Sequence, residues 1–262
     1  MGYLAPAIAH AVLDDEAVVV ATATLALQTQ LAGKDIPAAL TAAEKVLPRR
    51  PRAAVLKGRH NHACLHKVRG GSSRPDQDML LDDADSSAAR SDGKGTDQAS
   101  ELGAEVVALR QWAEQQAEEN GVGDRDDAPA HSQQAWDQVS MRANECLGAQ
   151  NCPFGPQCLA ERARERARDA DIVVTNHAML AIDAMNGGTL LPEHDVVVID
   201  EAHEVVDRFT GAASVDLWPG RLSTVARQGL TWLDDDLGAD LLDQVDVLHE
   251  ALEATRPGRI TD

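Results

Sequence analysis

The sequence predicts an α/β fold in which a parallel sheet is covered by helices on both faces. Three apolar, mostly β-branched runs at residues 17–22, 171–175 and 195–200 predict buried strands. Each run stands next to segments with helical spacing, and runs that are apolar throughout are typical of parallel strands buried on both faces. The length of 262 residues allows one large domain or two small ones.

The first quarter of the chain predicts three helices and two strands. In chain order they are a helix at residues 3–13, a strand at 17–22, helices at 25–31 and 38–46, and a short strand at 53–56. Pro48 follows the third helix, and a proline cannot donate the backbone hydrogen bond that would continue it. No basic leader precedes the apolar start, and no apolar run reaches the ~18 residues of a membrane span, so we expect a cytoplasmic protein.

Charge is distributed unevenly along the chain, although the net charge is −19. Residues 76–127 hold fifteen Asp or Glu against four Lys or Arg, whereas residues 45–69 hold eight Lys or Arg and no acid. A basic stripe of this kind suits phosphate contacts, and the alternative is a solvated basic loop. The acidic segment is a tolerated surface insertion or, alternatively, a mimic of DNA that competes for the basic stripe.

The middle of the chain is polar, and regular structure resumes after it. Residues 70–129 are rich in Gly, Ser, Asp and Gln, which predicts a loop, with disorder near residues 86–100 and one helix at 101–119. Downstream, the pattern predicts a charged helix at 159–170, a strand at 171–175, a helix from Asn176 to Met185, a strand at 195–200 and helical structure after Phe209.

Two adjacent carboxylates end the last predicted strand, in the sequence Asp200-Glu201-Ala202-His203. In a parallel α/β sheet, ligands lie beyond the carboxyl ends of the strands. The pair suits a nucleotide-bound Mg²⁺, with Asp200 holding the ion and Glu201 activating a water that attacks a phosphorus. His203 would sense the phosphate or couple it to another site. The alternative is that the two acids only begin a helix.

The four cysteines, Cys64, Cys146, Cys152 and Cys158, suit either a tetrahedral zinc ion or a 4Fe–4S cluster. Structural zinc usually takes two close pairs of ligands, whereas here one cysteine is remote and the other three are separated from one another by five residues. A cytoplasmic setting disfavours disulfides. Four unligated buried thiols are the remaining alternative.

Three segments resemble superfamily 2 helicases of the DinG-type and XPD-like branch. Residues 196–203 (VVVIDEAH) resemble the Walker B or DEAH motif, residues 21–31 resemble motif Ia, and residues 171–177 resemble a strand of that branch. The resemblance implies a RecA-like P-loop motor domain with an inserted iron–sulfur cluster domain. It also implies that motif Ia contacts the DNA backbone through Thr22, Thr24 and Gln28.

The cysteines lie in segments that carry the same resemblance. Residues 55–64 resemble the stretch that leads into the cluster domain of DinG-type helicases, and residues 146–158 resemble the stretch that leaves it. The resemblance makes 4Fe–4S the preferred cofactor, in a domain that parts the duplex as a wedge. Residues next to the ligands are then expected to meet DNA: Lys57, Arg59, Lys67 and Arg142 at phosphates, and His62, which replaces the family's tyrosine, stacked on a base.

The resemblance divides the chain into four parts. Residues 1–56 are the N-terminal part of the first RecA-like domain, and residues 57–168 are the cluster insert, with the acidic loop at 76–127. Residues 169–210 complete the RecA-like domain with the DEAH motif. Residues 211–262 begin a helical arch insertion.

A phosphate-binding loop ending in Gly-Lys-Ser or Gly-Lys-Thr, which a helicase needs, does not occur in the sequence. Gly33-Lys34-Asp35 comes nearest, but it lacks the hydroxyl and lies after motif Ia. We therefore expect a chain that is truncated at both ends and that has no meaningful ATPase or unwinding activity by itself.

The resemblance implies a parent helicase that uses ATP and Mg²⁺ to move 5′ to 3′ on single-stranded or forked DNA as a monomer. Three alternatives remain: a motor-inactive, cluster-bearing DNA-binding module, an electron-transfer protein, and a DinG-type exonuclease without a cluster. The carboxylate pair argues against electron transfer, and the four filled cysteine positions argue against the exonuclease.

Overall fold

The computed structural model describes residues 2–70, 95–215, 218–230 and 232–255. The chain divides into two compact units, Met1–Ala212 and Ala213–Asp262. Residues 71–94 of the predicted loop at 70–129 lie outside the described residues, and they include most of the stretch near 86–100 that was expected to be disordered.

The first unit contains a four-stranded parallel sheet, which confirms the predicted α/β class. Its strands in chain order are β1 (Val18–Thr22), β2 (Ala53–Val55), β3 (Ile172–Asn176) and β4 (Val196–Ile199). They lie side by side in the order β2-β3-β1-β4. Val18 is level with both Ile172 and Val196, so the carboxyl ends of the strands meet at one edge of the sheet.

Helices cover both faces of this sheet. Side chains alternate between the faces along a strand, so Val18 and Val20 of β1 point to one face and Val19 points to the other. The first face packs against α1 (Leu4–Leu13) and α3 (Ile36–Ala43). The second face packs against Ala167 of α7 (Leu159–Arg168) and against Ala170, which follows that helix. α8 (His177–Met185) follows β3 directly and contributes Leu180 to the second face.

The strand β4 lies at an edge of the sheet and is less buried than its apolar sequence predicted. Val196 and Val198 pack against the first face, whereas Val197 and Ile199 remain 39% and 40% exposed. An unbroken apolar run is typical of strands with neighbours on both sides and layers on both faces. In this unit β4 has one strand neighbour, which explains the difference.

The helices predicted at 25–31 and 38–46 are joined in the structure. The helix α2 (Leu25–Gln30) passes into a single π-helical turn (Leu31–Asp35), and α3 continues without a break. Pro37, which has no N–H to donate, lies in the first turn of α3 directly after this π turn. α3 ends at Ala43 instead of the predicted Val46. The prediction of two separate helices was wrong, because residues 25–43 form one continuous helical segment.

The residues between β2 and β3 form a hydrophobic core of their own. Three helices surround it: α4 (Leu65–Gly70), α5 (Gly95–Glu118) and α6 (Gln133–Asp137). Leu109, Trp136 and Leu159 lie at its centre and are at most 1% exposed. The predicted helix at 101–119 corresponds to α5, while α4 and α6, of six and five residues, were too short for their periodicity to predict them.

The chain after the sheet is helical, as the sequence predicted. α9 (Val205–Ala213) follows the carboxylate pair, and α10 (Pro219–Gly229) and α11 (Asp235–Ala254) pack against each other in the second unit. Among the described helices, none is both long enough and apolar enough to cross a membrane.

Candidate functional site

The carboxylate pair lies where the sequence predicted it, directly after β4 at the carboxyl edge of the sheet. The backbone N–H of Asp200 donates to the carbonyl of Ala21 at 2.9 Å, which extends the pairing of β4 with β1 by one residue. Asp200 therefore stands beside the end of β1, next to the loop that leads into α2. This edge is where a parallel α/β sheet binds ligands.

The side chain and backbone of Asp200 are held by three groups. The hydroxyl of Tyr3 donates to Oδ2 at 2.9 Å, and the backbone N–H of Glu201 donates to Oδ1 at 3.1 Å. Nε2 of His177, a fully buried residue, lies 2.8 Å from the backbone carbonyl of Asp200. Burial first, and then the hydrogen bond to Asp200, raises the pKa of Tyr3, so the phenol stays protonated as a donor.

Tyr3 and His177 were missed as candidate residues. Tyr3 directly precedes α1 and is 197 residues from Asp200 in sequence, so no local pattern joins the two. His177 gave a weak signal, because Asn176-His177 directly follows a predicted strand and the Asn176 side chain caps the next helix through Met179 N–H at 2.8 Å. A polar pair at the carboxyl end of a parallel strand lies at the ligand-binding edge of the sheet, as the acidic pair does.

Glu201 has a left-handed backbone, with φ 53° and ψ 45°, which is uncommon for a residue with a side chain. Its carboxylate is 47% exposed and lies 3.4 Å from Nδ1 of His203, which is itself 74% exposed. Non-glycine residues in this conformation concentrate at functional sites, where the surrounding structure holds the strain. Glu201 can therefore meet a solvent molecule or a ligand phosphate without any opening of the fold.

The three motif Ia residues lie at the carboxyl end of β1 and in α2. Thr24 is partly exposed and caps α2, its Oγ1 accepting from Leu27 N–H at 3.2 Å. Thr22 and Gln28 are fully buried. Gln28 donates its amide to the carbonyls of Leu56 and Val174, at 3.2 and 3.3 Å. The structure thus gives Thr22 and Gln28 protein partners in place of the open surface that DNA contact needs.

The four cysteines come together although 94 residues separate Cys64 from Cys158. All of them line one cavity, together with Arg59, His66 and Phe154. Cys64 precedes α4, Cys158 caps the start of α7, and the other two lie in the loop between α6 and α7. None of them forms a disulfide. Burial raises the pKa of the Cys64 thiol.

A tight loop and a partly buried cation line the cavity. A Cβ on Gly155 would lie 1.9 Å from the carbonyl oxygen of Ala149, so only glycine fits between Cys152 and Cys158 at this point. Arg59 is paired with Glu161. Burial lowers the pKa of Arg59, but Glu161 and the nearby Cys146 and Cys158 raise it more. The guanidinium therefore places a positive charge beside the cysteine cavity.

The described residues contain no group of three or more His, Cys, Asp or Glu side chains close enough to bind a single metal ion. The four cysteines nevertheless line one cavity. In a 4Fe–4S cluster each cysteine binds a different iron. The donor set, four unpaired thiols around one cavity, therefore fits a cluster.

The residues predicted to meet phosphates differ in their exposure. Lys57 is buried, and its Nζ lies 2.7 Å from Asp124 and 2.9 Å from Asp126. His62 is 3% exposed and its Nδ1 lies 2.9 Å from the carbonyl of Val122, so its ring has no open face for a base. Lys57 and His62 thus have structural partners, in contrast to the predicted contacts with DNA.

Lys67 and Arg142 are the predicted phosphate contacts that reach the surface. Arg142 is exposed, and Lys67 is partly exposed with its Nζ 2.9 Å from the carbonyl of Asp137. Arg59, the remaining one, faces the cysteine cavity.

Comparison with known proteins gives a consistent result. The DEAD_2 family model matches residues 44–222. The chain is 41% identical over 267 residues to the ATP-dependent helicase DinG of Mycobacterium tuberculosis (strain ATCC 25177 / H37Ra), which covers 99% of this chain and 38% of that protein. It is 32% identical over 211 residues to the ATP-dependent DNA helicase YoaA of Escherichia coli (strain K12), covering 78% of this chain and 28% of that protein. The chain thus spans less than half the length of these relatives.

Proposed function

We propose that this chain, which belongs to the DEAD_2 family and to the DinG type of superfamily 2 helicases, forms part of an ATP-dependent DNA helicase. In this proposal ATP hydrolysis drives movement 5′ to 3′ along single-stranded or forked DNA. A 4Fe–4S domain acts as the wedge, and the protein works as a monomer in the cytoplasm. The observation that carries the proposal is the Asp200–Glu201 pair at the carboxyl edge of the parallel sheet.

The proposed chemistry at this edge is hydrolysis of the terminal phosphate of ATP. Asp200 would hold the Mg²⁺ that neutralises charge on the phosphate oxygens. Glu201, half exposed, would orient the attacking water and accept its proton. His203 lies close enough to Glu201 to be its hydrogen-bond partner and would sense the departing phosphate.

The 262-residue sequence contains no Gly-Lys-Ser or Gly-Lys-Thr to bind the β- and γ-phosphates. We therefore expect the chain by itself to hydrolyse ATP little above background, with or without single-stranded DNA. An ATPase assay of the chain and of Glu201→Gln checks this. Robust turnover that Glu201→Gln abolishes would show that the chain supplies its own phosphate site and would overturn this expectation.

The proposed cluster would be held by the four cysteines around the cavity, and it would supply a rigid link between α4, α7 and the loop before α7. Anaerobic purification followed by iron and sulfide analysis and a visible spectrum tests this. We expect about four irons per chain and a broad visible absorption band, both lost in Cys152→Ser. Stoichiometric zinc without iron would contradict the proposal and favour the zinc alternative.

The proposed DNA surface comprises Arg142, which is exposed, and Thr24 and Lys67, which are partly exposed. Neutralising one phosphate contributes a slope of about −0.7 to the dependence of log affinity on log salt for a single strand. Arg142→Ala should therefore weaken binding of a fluorescent single strand and reduce the slope by about one contact. Arg208→Ala serves as the control, since Arg208 is exposed but paired with Glu204. Equal effects of the two changes would contradict the assignment of Arg142.

A second candidate function is a motor-inactive, cluster-bearing module that binds DNA. The absence of a phosphate loop from the sequence is the observation that favours it. The ATPase and iron measurements separate the two candidates, because the module predicts a full cluster and DNA binding without any turnover that depends on Glu201.

A further inference from the structure

The hydrogen bond between Tyr3 and Asp200 joins the beginning of α1 to the end of β4. The Oη–Oδ2 distance is 2.9 Å, and the bond is partly buried. The Tyr3 ring packs against the same hydrophobic cluster as Val196 and Val198 of β4, so the phenol is held from the side of the core. The donor is therefore fixed independently of any ligand.

The Asp200 carboxylate accepts a hydrogen bond at each oxygen. Tyr3 Oη donates to Oδ2, and the Glu201 backbone N–H donates to Oδ1 at 3.1 Å. Two donors on opposite oxygens fix the rotation of the carboxylate about its Cβ–Cγ bond. Each oxygen keeps a second lone pair, so the carboxylate can still bind a cation or a water of its hydration shell.

The backbone beneath this carboxylate is also held. His177 Nε2 contacts the Asp200 carbonyl at 2.8 Å, and the Asp200 N–H donates to Ala21 at 2.9 Å. The Glu201 backbone contact follows from these restraints and from the left-handed turn that comes next. Tyr3 is thus the one side chain among the described residues that donates to the Asp200 carboxylate, and its loss would free Oδ2 to rotate.

We propose that Tyr3 is a positioning residue, which orients the Asp200 carboxylate for binding the divalent cation of the nucleotide. The inference rests on the proposed function, because that function makes Asp200 the cation ligand. Loss of a hydrogen-bond partner behind a metal ligand typically weakens metal affinity 10- to 100-fold. The Asp200 carboxylate keeps its second donor, the Glu201 N–H, when Tyr3 is lost, so we expect an effect near the lower limit, about tenfold.

The chain contains a single tyrosine, which makes the test direct. Tyrosine labelled with ¹³C gives one signal, and Mn²⁺ bound at Asp200 should broaden it strongly because the paramagnetic ion would lie within a few ångströms of the ring. Titration followed by the signal of free Mn²⁺ in electron paramagnetic resonance gives the affinity of this site once the binding that remains in Asp200→Asn, due to the other acidic residues, is subtracted. The measurement uses the full 262-residue chain with Mn²⁺ alone.

We expect Mn²⁺ to broaden the tyrosine signal of the wild type and to leave that of Asp200→Asn sharp. Tyr3→Phe should bind Mn²⁺ about tenfold more weakly while its circular dichroism stays that of the wild type. The matched control is Thr41→Val, which also removes one hydroxyl: Thr41 is exposed on α3 and bonds to the Pro37 carbonyl. Its Mn²⁺ affinity should not change.

The two ways of failing give different results. If Tyr3→Phe binds Mn²⁺ within twofold of the wild type while Asp200→Asn loses this binding, the role of Tyr3 is overturned and the cation site stands. A wild-type signal that Mn²⁺ does not broaden, or broadens equally in Asp200→Asn, overturns the cation site itself and the inference with it.

A second measurement requires no change at Tyr3 and covers the case in which Tyr3→Phe does not fold. The hydroxyl proton of the labelled tyrosine should exchange slowly with water in the wild type, because Asp200 accepts it. Asp200→Ala should make the exchange fast. Fast exchange already in the wild type would mean that the hydrogen bond is absent in solution, and the inference would be wrong.

Discussion

Single buried polar residues show most directly how far a family motif informs on structure. Gln28 belongs to a segment that resembles a DNA-contacting motif, yet it is fully buried and donates to the carbonyls of Leu56 and Val174. These carbonyls lie just after β2 and within β3. Gln28 therefore ties α2, the helix that Thr24 caps, to the sheet.

We expect Gln28→Ala to lower the free energy of unfolding by about 2–3 kcal/mol, because it leaves a cavity and removes a donor from two buried carbonyls. Gln30→Ala, at an exposed position of the same helix, should change it by less than about 0.5 kcal/mol. Urea unfolding followed by circular dichroism measures both. Similar small effects would mean that the Gln28 amide is not structurally required.

Asp171 gives a pH dependence whose sign follows from its environment. Burial raises the pKa of its carboxyl, but the side chain of Arg49 at 2.8 Å and the backbone N–H of Arg52 at 2.7 Å lower it more. A carboxyl with a depressed folded pKa stabilises the fold above its unfolded pKa of about 3.9, and this stability is lost as pH falls through the folded pKa. Below about pH 4, Asp171 therefore contributes to acid unfolding.

Asp171→Asn should cost about 1–2 kcal/mol at pH 7 and should make stability depend less steeply on pH below about 4. Urea melts between pH 2.5 and 7 provide the comparison. Arg50→Gln, an exposed neighbour, should retain the steepness of the wild type. A variant at Asp171 with the full wild-type slope would assign the acid sensitivity to other carboxyls.

At the scale of elements, the tight loop between Cys146 and Cys158 depends on one glycine. We expect Gly155→Ala to disturb this loop, because its Cβ would lie 1.9 Å from the Ala149 carbonyl and backbone must move to admit it. The iron content per chain after anaerobic purification should fall below half, and the temperature of unfolding should drop by several degrees.

The control for this change is Gly103→Ala within α5, where an added Cβ meets nothing within 4 Å. Alanine is favoured over glycine in a helix by up to about 1 kcal/mol, so this variant should be as stable as the wild type or more so. An unchanged iron content in Gly155→Ala would show that the loop can relax without cost to the site.

The elements that sequence reasoning predicted correctly are those whose signal is local. The strands β1 and β3 are continuous apolar runs, and the helix α5 has apolar residues at helical spacing. The joint between α2 and α3 could not be predicted in this way, because Gly33-Lys34 signals a break and only the packing of Leu31 and Ile36 on the sheet favours a continuous helix. The Tyr3–Asp200 bond likewise requires the assembled sheet.

At the scale of the molecule, the three hydrophobic cores all lie within residues 1–212. A fragment of residues 1–213, which keeps α9 complete, retains each of them. We expect it to fold and to unfold within a few degrees of the whole chain in a thermal melt followed by circular dichroism. Loss of the cooperative transition in the fragment would mean that residues 214–262 are needed for the first unit to fold.

The carboxylate pair and the cysteines were the parts of the candidate site that the sequence alone could locate, since their chemistry is visible as residue type and spacing. The sequence did not show which of the candidate residues are exposed to solvent. Four of the eight residues expected to meet DNA are buried, namely Thr22, Gln28, Lys57 and His62. Burial depends on which segments pack over a residue, such as the turn at Arg125–Asp127 that brings Asp126 to Lys57.

The adjacency of β2 and β3 has a consequence for how freely the segment between them can vary in length. Parallel neighbours need only a crossover of about a dozen residues, and α7 alone, packed on the face it shares with Val173, is long enough to provide one. The cysteine-bearing segment has a separate core and leaves and rejoins the sheet through neighbouring strands. A change in the length of this segment can therefore be accommodated while the four strands keep their register and the acidic edge keeps its place.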